Sequence, residues 1–381
     1  MQKKLIALAI AGLASAPVFA QTNVTVYGVV DVTVESVKAS GGVDVFELDR
    51  RTRVTSNSSL IGFRGTEDLG NGLKALFQVE SSFSADAGGG TLAGRDTFVG
   101  LEGGFGKVQL GKLTTIMRAA GAKVDFNPAA TGIGFQAATY GTIGGVALTG
   151  IDERINNAVM YTTPNFSGLT AQLAYSAGEN RVSPDLNGAE GVNSQSYQLA
   201  AAYENGPLYV SAGYAVAQDP LVATSVLGAA SNSNISDELK DARIAVKYTF
   251  PSNTSVSALY DRAKYEASSA LGDTDVKRNA WMVGAEQKFG GNQAVYLQYA
   301  RSQELDGDAC DFDACDNTEF SQWTLGYTYA LSKRTMVKAY YTRLNNDSDS
   351  AADFYLSKVG MASRNAGADP SGFGLGLRHT F

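Results

Sequence analysis

From Val24 to Val32 the residues alternate, so that Val24, Val26, Val30 and Val32 share one face of an extended chain while Thr25, Tyr27 and Asp31 share the other. Period two is the signature of a β-strand with one apolar and one wet face. The pattern returns in Leu73, Ala75, Phe77 and Val79 against Lys74, Gln78 and Glu80. It returns again in Phe373, Leu375, Leu377 and Phe381 against Gly374, Gly376, Arg378 and Thr380, with His379 on the apolar side. Followed along the chain, it predicts strands near 24–34, 51–66, 73–83, 95–103, 106–112, 158–163, 169–176, 196–204, 208–216, 241–250, 254–263, 279–289, 292–301, 320–330, 335–343 and 372–381, sixteen in all, with no helical period between them.

The connections alternate in length. Tight turns fall near Gly70, Gly104, Pro164, Asn205, Pro251, Gly290 and Leu331, and longer loops at about 35–50, 84–94, 113–157, 177–195, 217–240, 264–278, 302–319 and 344–371. An even number of strands of about ten residues, with short turns on one rim and long loops on the other, is the pattern of a bacterial transmembrane barrel. Lipid cannot satisfy an open sheet edge, so such a sheet closes, with apolar residues outward and polar ones inward. The expected fold is therefore all-β, a 16-stranded antiparallel transmembrane β-barrel. Pro128, Pro164, Pro184, Pro207, Pro220, Pro251 and Pro370 all fall in turns or loops, where no ladder donor is lost. Phe105, Phe166, Phe250 and Phe289 beside tight turns, and Tyr175, Tyr203, Tyr248 and Tyr299 near strand ends, are expected in aromatic girdles.

Residues 1–20 add a compartment. Lys3 and Lys4 precede an apolar run from Leu5 to Ala14, and Val18-Phe19-Ala20 suits a cleavage site before Gln21. This is the form of a secretory signal peptide, too short to anchor in a membrane, and it leaves 21–381 as a single barrel domain. Export permits a disulfide between Cys310 and Cys315, which braces a local turn. The surrounding Asp306, Asp308, Asp311, Asp313, Asp316 and Glu319 read as a solvated loop face rather than a calcium site, since EF-hand spacing is absent.

Composition excludes several function classes. A net charge of -7 argues against a nucleic-acid binder, and 44% hydrophobic residues against disorder. A single histidine, His379, suits neither a His-rich metal site nor a His-based triad, and no other base stands beside a nucleophile. No enzyme, cofactor or metal is implied.

Several segments resemble the general diffusion porins of Gram-negative outer membranes, and among them the trimeric porins of beta-proteobacteria such as Bordetella, Burkholderia, Neisseria and Delftia. They are Val24 to Asp31, Ser58 to Ala75 (SSLIGFRGTEDLGNGLKA), Phe98-Val99-Gly100-Leu101, Phe105 to Lys112 and the terminal Phe381. The resemblance spans the mature chain and implies a homotrimer in the outer membrane, each barrel its own pore for passive diffusion of small hydrophilic solutes and ions. It implies contact with membrane lipid and lipopolysaccharide, and makes Phe381 the aromatic that the barrel-assembly machinery reads. It also implies that the third long loop, here 113–157, folds into the barrel and narrows it.

Selectivity at a narrow point follows diameter and fixed charge. Wall candidates are Arg51, Arg53, Arg64, Lys74, Arg95 and Lys112, with Arg64 and Lys74 inward by strand parity. The family places wall arginines at positions matching Leu60 and Arg95, so Leu60 departs from the pattern, while Lys112 matches a usual arginine. From the loop, Arg118, Asp125, Asp152 and Glu153 are candidates to face that wall, Asp125 through a partial match to the family's acidic loop motif. The set predicts a mild anion preference. Alternative readings are a substrate-selective channel, which needs a continuous aromatic ladder or a saturable site, and a structural or surface-interaction barrel, from which a measurement of ion conductance distinguishes an open pore.

Overall fold

The computed structural model describes residues 23–42, 47–182, 192–220, 236–269, 272–310 and 315–381. The expected export signal, together with Asp311 and Asp313, lies outside the described residues. Among the described residues sixteen strands follow one another around a closed antiparallel barrel. They are β1 Asn23–Ser40, β2 in two segments (Leu48–Ser56 and Leu60–Gly70), β3 Leu73–Phe83, β4 Thr97–Gly103, β5 Gly106–Thr114, β6 Arg154–Thr162, β7 Leu169–Val182 and β8 Val192–Asn205. The second half comprises β9 Leu208–Gln218, β10 Ser236–Thr249, β11 Thr254–Ser269, β12 Gly272–Phe289, β13 Gln293–Ser302, β14 Phe320–Ala330, β15 Thr335–Asn346 and β16 Asp369–Thr380.

Closure is made by β1, which pairs with β2 along one edge and with β16 along the other, from Val29↔Thr380 to Ser40↔Asp369. The final rung is Phe381 itself, whose backbone N–H and C=O both bond Gly28 at 3.1 Å. No barrel edge then faces lipid, where each unpaired backbone group would cost several kcal/mol. The apolar parity faces out, as shown by exposed Val26, Val34, Leu199, Ile244, Leu297 and Leu375, and the opposite parity carries buried Asp31, Glu35, Gln198, Asp261 and Gln298 inward.

Three expectations need correction, the first being that no helix interrupts the strands, since Ile116–Val124 and Ala137–Tyr140 are helical. The stretch 264–278, expected as a loop, is mostly the hairpin of β11 and β12, and β7, β8 and β10 also extend well beyond their expected ends. In these extensions the phase of the pattern inverts. Leu239, Ala263 and Val276 point inward into an apolar cluster, while Lys240, Lys264 and Lys277 face out. The second strand is interrupted at Asn57-Ser58-Ser59, where Ser58 adopts φ 58° and its hydroxyl meets Thr131 Oγ1 at 2.8 Å. The interruption therefore sits where a loop touches the wall. Cys310 and Cys315 form a disulfide.

Candidate functional site: the pore constriction

The long connection between β5 and β6 lies inside the barrel. It opens with helix α1, Ile116–Val124, whose first turn is capped by Thr115 Oγ1 accepting from Arg118 N at 3.4 Å. A one-turn helix α2, Ala137–Tyr140, follows. One side of this loop is pinned to the wall of β8–β16. Arg243 on β10 donates to Met117 O (2.7 Å), Tyr140 O (2.9 Å) and Asp152 Oδ2 (2.5 Å), and pairs with Asp261 at 2.6 Å. Arg278 on β12 also pairs with Asp261, at 2.6 Å, and donates to Tyr140 O at 3.2 Å. These arginines and aspartates are at most 1% exposed, so each charge depends on its partners. Farther along, Gln322 donates to Ile133 O at 2.9 Å, Thr324 to Gly134 O at 3.1 Å, and Tyr296 to Asn127 Oδ1 at 2.9 Å.

Close seating needs glycine on the wall. A Cβ on Gly213 would lie 2.8 Å from Met117 Sδ, and one on Gly284 would lie 2.9 Å from the Phe126 ring. A second connection, between β15 and β16, also folds inward, burying Ala352, Phe354 and Val359 against Val37, Ile133, Tyr340 and Leu344. Its Tyr355 donates to Asp152 O at 2.8 Å and accepts from Arg118 at 3.0 Å. The Arg118 guanidinium lies 5.2 Å from the Tyr355 ring centroid and 5.8 Å from that of Phe135, a cation–π contact on each ring.

The inner face of β2–β6 beyond the Ser58 contact carries charge. Arg64 stacks over the inward Tyr27 ring at 4.9 Å. Arg95 approaches Glu80 at 3.5 Å, and Arg154 approaches Asp96 at 3.4 Å. Asp96 is fixed by Thr114, whose N–H and hydroxyl donate to it at 2.6 and 2.8 Å. Arg95, Asp96, Glu80 and the loop's Arg118 all lie within electrostatic range of Arg154. Four guanidiniums (Arg64, Arg95, Arg154 and Arg118) thus gather around two carboxylates, Glu80 and Asp96, where wall and loop approach.

The sequence profile of the Gram-negative porin family matches residues 7–349. This chain belongs to that family. It is 34% identical over 387 aligned residues to outer membrane porin protein 32 of Delftia acidovorans, covering 100% of both chains. It is 30% identical over 340 residues to the major outer membrane protein P.IB of Neisseria meningitidis serogroup B, covering 88% of this chain and 91% of that one. A solved anion-selective porin from Comamonas acidovorans superposes with a TM-score of 0.75 at 31% identity, covering 94% of this chain and 100% of the other.

The porin is thus a channel rather than an enzyme, an outer-membrane protein of a Gram-negative bacterium that provides passive diffusion. Its candidate residues fall into distinct places. Arg64, Arg95 and Arg118 belong to the guanidinium group just described. Lys74 lies exposed on the inward face of β3, opposite Glu102. Arg51 and Arg53 hold the β15–β16 loop: Arg51 donates to Val359 O at 2.6 Å, and Arg53 to Lys358 O at 2.7 Å, to Ser357 O and to Glu35 at 2.9 Å. Lys112 shares the strand parity of outward Leu110 and donates to Asn156 Oδ1 at 2.7 Å.

The loop acids are engaged locally. Asp125 is buried and accepts from Asn127 N (2.7 Å), Gln136 N (3.0 Å) and Gln298 Nε2 (2.9 Å). Burial, partly offset by these bonds, pushes its pKa up to about 6. Asp152 bridges Arg118 and Arg243, and Glu153 accepts from Gly150 N at 2.6 Å. Sequence reasoning passed over Arg154, Asp96, Tyr355 and the anchor Arg243–Asp261–Arg278. Inward parity on a membrane strand signals Arg243. Nothing local signals Tyr355, because its contacts come from a loop with no period.

Proposed function

We propose that the pore passes small hydrophilic solutes and ions with a weak preference for anions, as one of three barrels in a homotrimer, after removal of residues 1–20 as an export signal. The observation that carries the preference is the three wall guanidiniums Arg64, Arg95 and Arg154 beside two carboxylates, Glu80 and Asp96, with Arg118 paired to Asp152. The loop acids Asp125 and Asp152 are buried and tied to the protein, so they add little attraction for passing cations. Glu80 and Asp96 keep the preference weak. The anion-selective relative from Comamonas acidovorans supports the same reading.

The outer surface supports the trimer. Tyr or Trp residues ring the extracellular side of the barrel on β7–β9 and β11–β15: Tyr175, Tyr197, Tyr214, Tyr260, Trp281, Tyr299, Trp323 and Tyr341. The outward faces of β1–β5 carry neither type and present Val34, Val54, Val99, Leu101 and Leu110 instead. Interfacial Tyr and Trp mark lipid contact, so the face without them suits protein neighbours. Phe381, on the closing rung, is the terminus offered to the assembly machinery.

Single-channel conductance and reversal potential in planar bilayers under a salt gradient test this reading. Large steps closing in threes and an anion-signed potential are expected. Arg154→Gln or Arg95→Gln should lower the anion-to-cation permeability ratio about twofold, the effect of one screened charge a few ångströms from the ion path. A cation-signed potential in the unmodified channel overturns the preference.

A further inference from the structure

Cys310 and Cys315 are the only cysteines of the chain, and their disulfide spans a sequence separation of 5 in the connection between β13 and β14. So short a ring constrains a turn and adds little to the stability of a large barrel. The first leg of this connection continues the ladder of β12. Gln303 N–H donates to Asn279 O at 2.8 Å, Lys277 and Asp306 exchange both backbone bonds at 2.6 and 3.0 Å, and Ala309 N–H donates to Asp275 O at 3.1 Å. Gly307 allows this approach, since a Cβ there would lie 2.4 Å from Asp275 O. The second leg is tied to the first through Thr318 Oγ1, which accepts from Leu305 N at 2.9 Å and donates to Cys315 O at 2.6 Å. The disulfide is the one covalent tie between the two legs.

The two cysteines have different surroundings. Cys315 is 3% exposed, and with Leu305 it belongs to an apolar cluster inside the barrel. The same cluster contains Ile143, Leu148 and Ile151 of the constriction loop, packed with the strand residues Leu239 and Val276. Ile151 immediately precedes Asp152, which bridges Arg118 and Arg243. One apolar body therefore links the disulfide to the segment that holds Arg118 at the narrow point. Cys310 lies half-buried at the margin of that body. Asp306, Asp308 and Asp316, which flank the two cysteines in the sequence, are exposed. Their charge draws cations toward the bond and repels anions from it.

We infer that Cys310–Cys315 is a thiol-exchange site coupled to the constriction, open to small cationic thiols from the extracellular side, and that its reduction loosens the pore loop. A thiolate attacks Cys310 Sγ, forming a mixed disulfide, and Cys315 leaves as a thiolate that takes up a proton. A second thiol then attacks the mixed disulfide and releases Cys310, which is protonated in turn. The protein disulfide gains two electrons, the two small thiols are oxidised to one small disulfide, and their two protons end on the cysteines. With the tie cut, Cys315 and Leu305 are held in the cluster by packing and by the Thr318 bonds alone. The constriction residues on the other side of the cluster then lose part of their backing, and local opening becomes easier while the barrel stays closed.

Single-channel recording of the refolded full-length protein tests this, with cysteamine as the cationic thiol and mercaptoethanesulfonate as the anionic one. Alkylation followed by mass measurement reports whether the two cysteines have been reduced. Cysteamine should raise the frequency of brief partial closures about fivefold, the change that accompanies an opening made easier by about 1 kcal/mol. Reoxidation should restore the quiet channel. Cysteamine should also reduce the bond at least about threefold faster than mercaptoethanesulfonate does, because the flanking carboxylates repel an anion. The double variant Cys310→Ser, Cys315→Ser should show the frequent closures from the start and ignore both thiols. If that variant does not refold, unmodified protein that is refolded, reduced and alkylated takes its place. A bond that cysteamine leaves intact overturns the exchange site. Closures unchanged in protein shown to be reduced overturn the coupling, and equal rates for the two thiols overturn the choice of cationic reactant. The oxidised channel conducts in each of these cases, so their failure is separate from failure of the pore itself.

Discussion

Asp125 shows what a single carboxylate does when it is turned from the lumen into the loop. It accepts three hydrogen bonds and has no ion pair among the described residues, so its charge is opposed by burial and supported by amides and, at longer range, by Lys247. Its folded pKa of about 6 lies above the ordinary value near 4. The proton therefore contributes stability that is fully present below about pH 4 and is lost as pH rises through about 6. Two units correspond to about 3 kcal/mol. Denaturant unfolding at pH 5 and pH 7.5 should show higher stability at pH 5, and Asp125→Asn should remove most of that difference. Arg243 carries the opposite risk. Arg243→Met leaves Asp152 and Asp261 short of a buried partner, a loss on the order of 3–5 kcal/mol. The expected readouts are a lower unfolding midpoint and noisier single-channel current.

At the scale of elements, the constriction is a loop made to behave like a wall. Its seating is sensitive to volume: Gly284→Val pushes a side chain into the Phe126 ring, with about 1–3 kcal/mol of overpacking. A changed single-channel conductance with the barrel still folded is the expected result. The membrane-spanning parts of all sixteen strands were legible because lipid demands apolar residues at every second position. Beyond the membrane that demand lapses, and the inner face of β10–β12 packs on apolar loop residues instead. Leu239, Ala263 and Val276 therefore sit inward where polar residues would be expected, and the period misleads. The constriction group was half legible. Arg64 and Arg95 lie in segments whose parity or motif marks them, whereas Arg154 acquires its neighbours only when the loop returns to the wall.

For the whole molecule, the outward faces of β1–β5 lack the Tyr and Trp found on the rest of the barrel, and the proposed trimer places its contacts on that face. A charge placed there and one placed on the rest of the barrel should act differently. Leu101→Arg on β4 should convert trimers to monomers in native gels of folded protein. Leu297→Arg on β13 should leave assembly intact and cost about 2–4 kcal/mol if it lies near the bilayer midplane. Trimers persisting with Leu101→Arg would remove β4 from the contact.

The hydrogen-bonded rung between Gly28 and Phe381 also sets a timetable. Because β16 supplies the bonds that close on β1, the cylinder cannot be completed before that strand is in place. A chain cut short within β16 leaves the exposed margins of β1 and β15 without their complement. The order of elements along the chain thus makes closure the last pairing, with the first strand held open until the sixteenth arrives.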